Sequence, residues 1–199
     1  LKEQRQRQQK PVDDLLVMPR LVETIGDGYN FPLGIAYVSA AMKRAGLSVF
    51  NLNLNHHVGE VSDLIRAEVE AHDIDCVMSG GLSFQFWMVE SIMKAAKQIN
   101  PKLITVAGGG LVTADPEATM TALEYADFGV IGEGEETIID LCNWFNDWDD
   151  YIVGAPEGIR GIIYWDNGGW IINAPRPDIK DLDSLAWPDY EGFEMDTYF

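Results

Sequence analysis

Short runs rich in β-branched and other apolar residues alternate with longer segments whose apolar residues recur at helical spacing, and the chain repeats this five times. A strand followed by a helix and another strand pairs in parallel with its predecessor, so the alternation points to a doubly wound, five-stranded parallel α/β sheet buried on both faces. Strands are expected over 14–18, 48–54, 76–80, 103–107 and 128–131. Helices are expected over 33–45, 61–71, 86–99, 117–125 and 135–145. The punctuation agrees: Pro32 opens the first helix, Gly46 closes it, and Asn100-Pro101 stops the third. This α/β unit is bounded at 12–148, behind a leader of 1–11 whose Lys, Arg, Gln and Glu carry no apolar period and read as frayed and disordered.

After Trp148 the texture changes. Residues 161–165 and 170–173 flank Asp166-Asn167-Gly168-Gly169, a strong β-hairpin signal. Beyond Ala174, prolines, acids and aromatics suit an extended linker lying over a neighbouring domain, so 149–199 reads as a small C-terminal hairpin appendage and linker. The first residue is Leu1, and the chain reads as one domain of a longer protein.

Composition narrows the partners. Hydrophobic residues make up 47% of the chain and charged ones 23%, enough apolar surface for a packed core. Acidic residues number 32 against 14 basic, a formal charge of -18 that repels phosphodiester backbones and anionic headgroups. No nucleic-acid or membrane partner is expected. No apolar run approaches the roughly 18 residues that span a bilayer, and no signal peptide opens the chain, so a cytoplasmic location is expected. Cys76 and Cys142 stand far apart inside apolar segments and read as reduced core thiols rather than metal ligands.

In open parallel sheets ligands bind at the carboxyl ends of the strands, where loops and helix N-termini converge. Glycines collect there: Gly80-Gly81-Leu82-Ser83 after the third strand, Gly108-Gly109-Gly110 after the fourth, and Gly132-Glu133-Gly134 after the fifth. Glycine allows positive φ and lets a flat ligand approach the main chain; ordinary tight turns are the bland alternative. Glu133 and Glu135 read as acceptors for ligand hydroxyls or amides, or as helix caps. Neither the dinucleotide fingerprint nor a Gly-Lys-Ser/Thr phosphate loop is present, and no nucleophile elbow or His-Glu-x-x-His pattern marks a catalytic residue. His72 reads as a solvated cation at a helix end, and His56 and His57 follow the second strand without accompanying ligands. A phosphorylated signalling domain would need acids at the carboxyl ends, whereas Asp13 and Asp14 open the first strand.

Phe31-Pro32-Leu33-Gly34 and the helix it opens, the Ser79-Gly80-Gly81-Leu82-Ser83 turn, Ala107-Gly108-Gly109-Gly110, and Asp127 through Thr137 with its Gly-Glu-Gly-Glu order form a set. Together they resemble the N-terminal cobalamin-binding domain of class B radical S-adenosylmethionine enzymes, and are similar to the anaerobic magnesium-protoporphyrin monomethyl ester cyclase group. The resemblance runs across most of 12–199. It implies a Rossmann-like, flavodoxin-type domain carrying a corrinoid on its carboxyl edge, held by Pro32, Leu33, Gly80, Leu82, Ser83, Gly108, Gly109, Gly110, Gly132, Glu133 and Gly134. It implies a radical SAM barrel in the same polypeptide, with a 4Fe-4S cluster and S-adenosylmethionine, acting as a methyltransferase or cyclase. The chain lacks the barrel's three-cysteine cluster motif, so this piece alone is expected to be inactive. It also lacks the Asp-x-His-x-x-Gly of methionine-synthase-type domains, since residues 20–30 contain no histidine. Cobalamin is therefore expected to bind without a protein histidine on cobalt. The competing expectation is the same fold without a cofactor, an interaction module whose crevice is filled by Phe84, Phe86 and Trp87, residues that read more readily as helix core.

Overall fold

A computed structural model describes residues 11–147 and 156–197. The leader, apart from Pro11, and the start of the C-terminal appendage lie outside the described residues. The chain runs β1 (Asp13–Met18), α1 (Leu33–Arg44), β2 (Ser48–Asn53), α2 (Val61–His72), β3 (Cys76–Gly80), α3 (Phe86–Ile99), β4 (Ile104–Gly108), α4 (Gly110–Ala114), α5 (Pro116–Ala122), β5 (Phe128–Val130), α6 (Gly134–Asn146), β6 (Ile162–Asp166) and β7 (Gly169–Ile172). The strands form one sheet in the order β2-β1-β3-β4-β5-β6-β7. The first five are parallel, as the alternation requires, while β6 and β7 join antiparallel. The hairpin is therefore an extension of the sheet: Val130 pairs with Ile162, and Ile162 and Ile163 are buried.

Alternate residues of the strands feed two cores, because successive side chains point to opposite faces. Leu15, Val17 and Val77 face α2, α3 and the α4-α5 pair, meeting Ile65, Ile92, Met93, Val112 and Met120. Leu16, Met18, Cys76 and Met78 face α1 and α6, meeting Met42, Leu141, Cys142 and Phe145.

Two local differences from the sequence reading have clear causes. The expected helix at 117–125 is α5, which starts at 116 and stops at 122, because Asp115 caps it by accepting from the Ala118 N–H at 3.2 Å and Pro116 starts it, while the additional α4 precedes it. The residues after Pro188 do not lie extended. Phe193 is fully buried in the α1-α6 core, and Asp189 accepts from Ser39 Oγ (2.6 Å), Asn51 Nδ2 (2.7 Å) and Lys43 Nζ (2.5 Å). Burial alone would raise the Asp189 pKa, but the hydrogen bonds from Lys43, Ser39 and the Gly192 N–H hold it below the ordinary carboxylate value.

Candidate functional site

The sheet order places β1 between β2 and β3, so connections leave β1 and β3 toward opposite faces and open a crevice between their carboxyl ends. On one side stands the β1-α1 loop, residues 19–32, ending at Pro32 and Leu33; on the other stands the turn Gly81 to Gln85. The β4 and β5 loops continue the same edge. Ser79 fixes the strands beneath it, donating from Oγ to the Val17 carbonyl at 2.8 Å.

The glycines divide by physical role. The β3 and β4 loops touch backbone to backbone: Gly81 N–H donates to Gly108 O (3.3 Å) and Leu111 N–H to Gly81 O (2.9 Å). A Cβ on Gly80 would stand 2.6 Å from Gly108 O, and one on Gly109, at φ +81°, 2.8 Å from Gly81 O. These glycines let two loops fuse into one surface, a reason that tight turns or ligand contact alone do not supply. Gly132 differs: its φ is +79° but nothing lies within 4 Å of a Cβ there, so its surroundings are open. Its N–H donates to Thr113 Oγ1 at 3.0 Å, tying the β5 loop to α4.

The edge faces solvent. Leu82, Ser83, Gly109, Gly110, Gly132, Glu133 and Leu33 are exposed, and Pro32, Gly80, Gly108 and Gly134 are half-buried. Phe84 and Trp87 project outward with 74% and 79% of their surface exposed, so they neither fill the crevice nor serve as helix core; Phe86 packs against the core. Apolar side chains this exposed, clustered at one strand end, mark a surface made for contact.

Glu133, Glu136, Asp140 and the three histidines already have partners within the chain. Glu133 Oε2 accepts from the Ile179 N–H at 2.6 Å. Arg176 reaches Thr137 Oγ1 (2.8 Å), Glu136 (3.2 Å) and Asp140, so the segment after β7 is laced to α6. His56 Nε2 lies 3.0 Å from the Tyr29 hydroxyl, and His57 Nε2 lies 3.1 Å from Glu194 Oε2. His72 stacks on Phe50 with ring centroids 4.0 Å apart. Among the described residues no group of three or more His, Cys, Asp or Glu side chains is placed to hold a metal ion, and no helix is long and apolar enough to cross a membrane.

Away from the edge, the amino end of β1 buries a group that the sequence does not single out. Asp14 is fully buried, and among the described residues no N–H or O–H reaches either carboxylate oxygen. Desolvation pushes its pKa up to about 7, against lowering by the thiols of Cys142 and Cys76. Burial, followed by the Asp14 charge, raises both thiols, so they stay protonated.

A doubly wound sheet in this order, with an open and partly apolar carboxyl edge, defines a ligand-binding α/β domain of the flavodoxin type. The chain belongs to the B12-binding domain family, which matches residues 22–141. It is 31% identical over 191 residues to an uncharacterized methyltransferase of Pyrococcus horikoshii, across 92% of this chain and 39% of that protein. It is 24% identical over 164 residues to the anaerobic magnesium-protoporphyrin IX monomethyl ester cyclase of Cereibacter sphaeroides, across 80% of this chain and 26% of that protein. The fold is similar to that of OxsB, a cobalamin-dependent S-adenosylmethionine radical enzyme, with TM-score 0.72 and 17% identity over 98% of this chain and 26% of that one. The chain spans well under half the length of these relatives.

Proposed function

We propose that this domain holds cobalamin across the carboxyl edge of its sheet, within a cytoplasmic radical S-adenosylmethionine enzyme of the methyltransferase or cyclase type. The observation that carries the reading is the coincidence of the family match with an open edge at the β1/β3 crevice. The residues suit a large, flat ligand with amide side arms. The Gly80-Gly81 and Gly108-Gly109 loops, fused backbone to backbone, add no side chains of their own to the edge. Leu33, Leu82, Phe84 and Trp87 offer exposed apolar surface. When bound, the corrinoid supplies cobalt chemistry, methyl carriage above all, that no side chain provides; the protein binds and orients.

The engagement of His56 by Tyr29 and of His57 by Glu194 supports binding without a histidine on cobalt. The radical SAM barrel, its 4Fe-4S cluster and S-adenosylmethionine belong, on this reading, to a part of the protein outside this chain. The outward projection of Phe84 and Trp87 counts against the cofactor-free module, whose crevice would have to be plugged.

The test is titration with hydroxocobalamin followed by removal of unbound corrinoid and an ultraviolet-visible spectrum. Stoichiometric retention is expected. No retention at high micromolar concentration sinks the reading for this domain.

A further inference from the structure

The family match ends at residue 141, yet the chain returns to the cofactor edge much later. From β7 it passes over α6, where Arg176 is held, and over α1, where Arg44 donates to the Ser184 carbonyl at 2.6 Å. Asp189 then fixes it between α1 and β2: its N–H donates to Ala36 O (3.1 Å), and its carboxylate gathers Ser39, Asn51 and Lys43. A few residues on, Tyr190 and Phe193 meet Phe31 of the β1-α1 loop, with ring centroids 5.6 and 6.1 Å apart.

That loop has little of its own to hold it. Residues 19–32 contain neither helix nor strand, and a loop of this length takes its order from what packs on it. Its first residues are tied to the turn after β2, through Arg20 to the carbonyls of Leu54, His57 and Gly59 and through Leu21 N–H to Asn55. Its last residues, Tyr29 and Phe31, pack on the α1-α6 core and meet the C-terminal segment there. Asn53 Nδ2 donates both to the Tyr29 hydroxyl (2.8 Å) and to the Phe193 carbonyl (3.0 Å), so one buried amide joins loop and segment. Phe31 packs on the segment's two rings, tilted against Tyr190 and edge-on to Phe193, and the next residues are Pro32 and Leu33, which open α1 at the crevice.

We propose that residues 188–194 are a built-in wall of the corrinoid edge, with Tyr190 and Phe193 as positioning residues that set the β1-α1 loop. The proposal rests on the corrinoid reading of that edge. On this account the functional domain reaches past the family boundary at least to Phe193, and the first wall of the crevice is assembled from segments far apart in the chain.

The experiment compares amide hydrogen exchange in the corrinoid-free wild type, Asp189→Ala and Tyr190→Ala, and then titrates each with hydroxocobalamin. Tyr190 is 46% exposed, so its variant keeps the fold if Asp189→Ala does not. Exchange across residues 24–31 should rise about tenfold in the variants together with that of 188–194, and the corrinoid Kd should rise by a similar factor. Faster exchange confined to 188–194 overturns the proposal, as does a loosened loop with unchanged affinity. Failure of the wild type to retain corrinoid would overturn the reading of the edge instead, and the exchange pattern would still decide whether the segment orders the loop.

Discussion

Asp14 of β1 is the register partner of Cys76 of β3, and the Cys142 thiol of α6 acts on the same buried carboxyl. Burial, working against those thiols, keeps Asp14 of the folded protein protonated to about pH 7, whereas the unfolded chain releases that proton near 3.8. With the folded pKa above the unfolded one, stability from this site is full below the unfolded value and is lost as pH rises toward 7. At about 1.4 kcal/mol per pH unit the loss is on the order of 4 kcal/mol. Asp14→Asn removes the titration, so urea melts from pH 4 to 8 should show wild-type stability falling relative to the variant up to about pH 7 and level above it. A constant difference across that range would mean the carboxyl is already ionised in the fold.

Gly109 and Gly132 both have positive φ but differ in surroundings, which separates two effects. Gly132→Ala meets no atoms, so only the left-handed conformation counts, at about 1–2 kcal/mol. Gly109→Ala adds a collision with the Gly81 backbone and should cost at least about 1 kcal/mol more. Equilibrium denaturation checks the ranking. Corrinoid retention should fall further in Gly109→Ala, because the collision pries apart the β3 and β4 loops that form the floor of the edge.

The strand-helix order, the hairpin turn and the position of the glycine loops were all legible, because each rests on local pattern: period, punctuation and turn residues. What the chain folds against itself over long separation was not. Phe193 and Met195 stand among prolines and acids without helical or strand spacing, so nothing local announces that Phe193 is buried against Phe31 or that Asp189 anchors to Ser39. Asp14 was masked for the opposite reason: a carboxylate at a strand end ordinarily signals solvent. The glycine loops were legible as turns along one edge of the sheet, but their fusion across the Gly81-Gly109 contact depends on which strands are neighbours. Even α4 was hidden, since Gly108-Gly109-Gly110 reads as loop although Gly110 already begins a helix.

Phe84 and Trp87 give a surface prediction. Both are largely exposed, so Phe84→Ser and Trp87→Ser should each leave stability within about 0.5 kcal/mol of the wild type. The double variant should nevertheless bind hydroxocobalamin several-fold more weakly, read by the same retained-corrinoid spectrum. Unchanged affinity would assign these rings to protein contact rather than to the cofactor.

Glu133 separates cofactor contact from chain anchoring. Its carboxylate already receives the Ile179 N–H, a charge-assisted bond between the β5 loop and the segment that Arg176 laces to α6. If holding that segment is its main task, Glu133→Ala should speed exchange of the Ile179 amide by about tenfold and lower stability by about 1 kcal/mol, with hydroxocobalamin affinity unchanged. Arg176→Ala should do the same from the other side, with a larger stability loss at low salt, because its ion pairs to Glu136 and Asp140 are half-exposed and screened. A drop in affinity for Glu133→Ala alone, with Arg176→Ala binding normally, would instead make Glu133 a direct contact of the corrinoid.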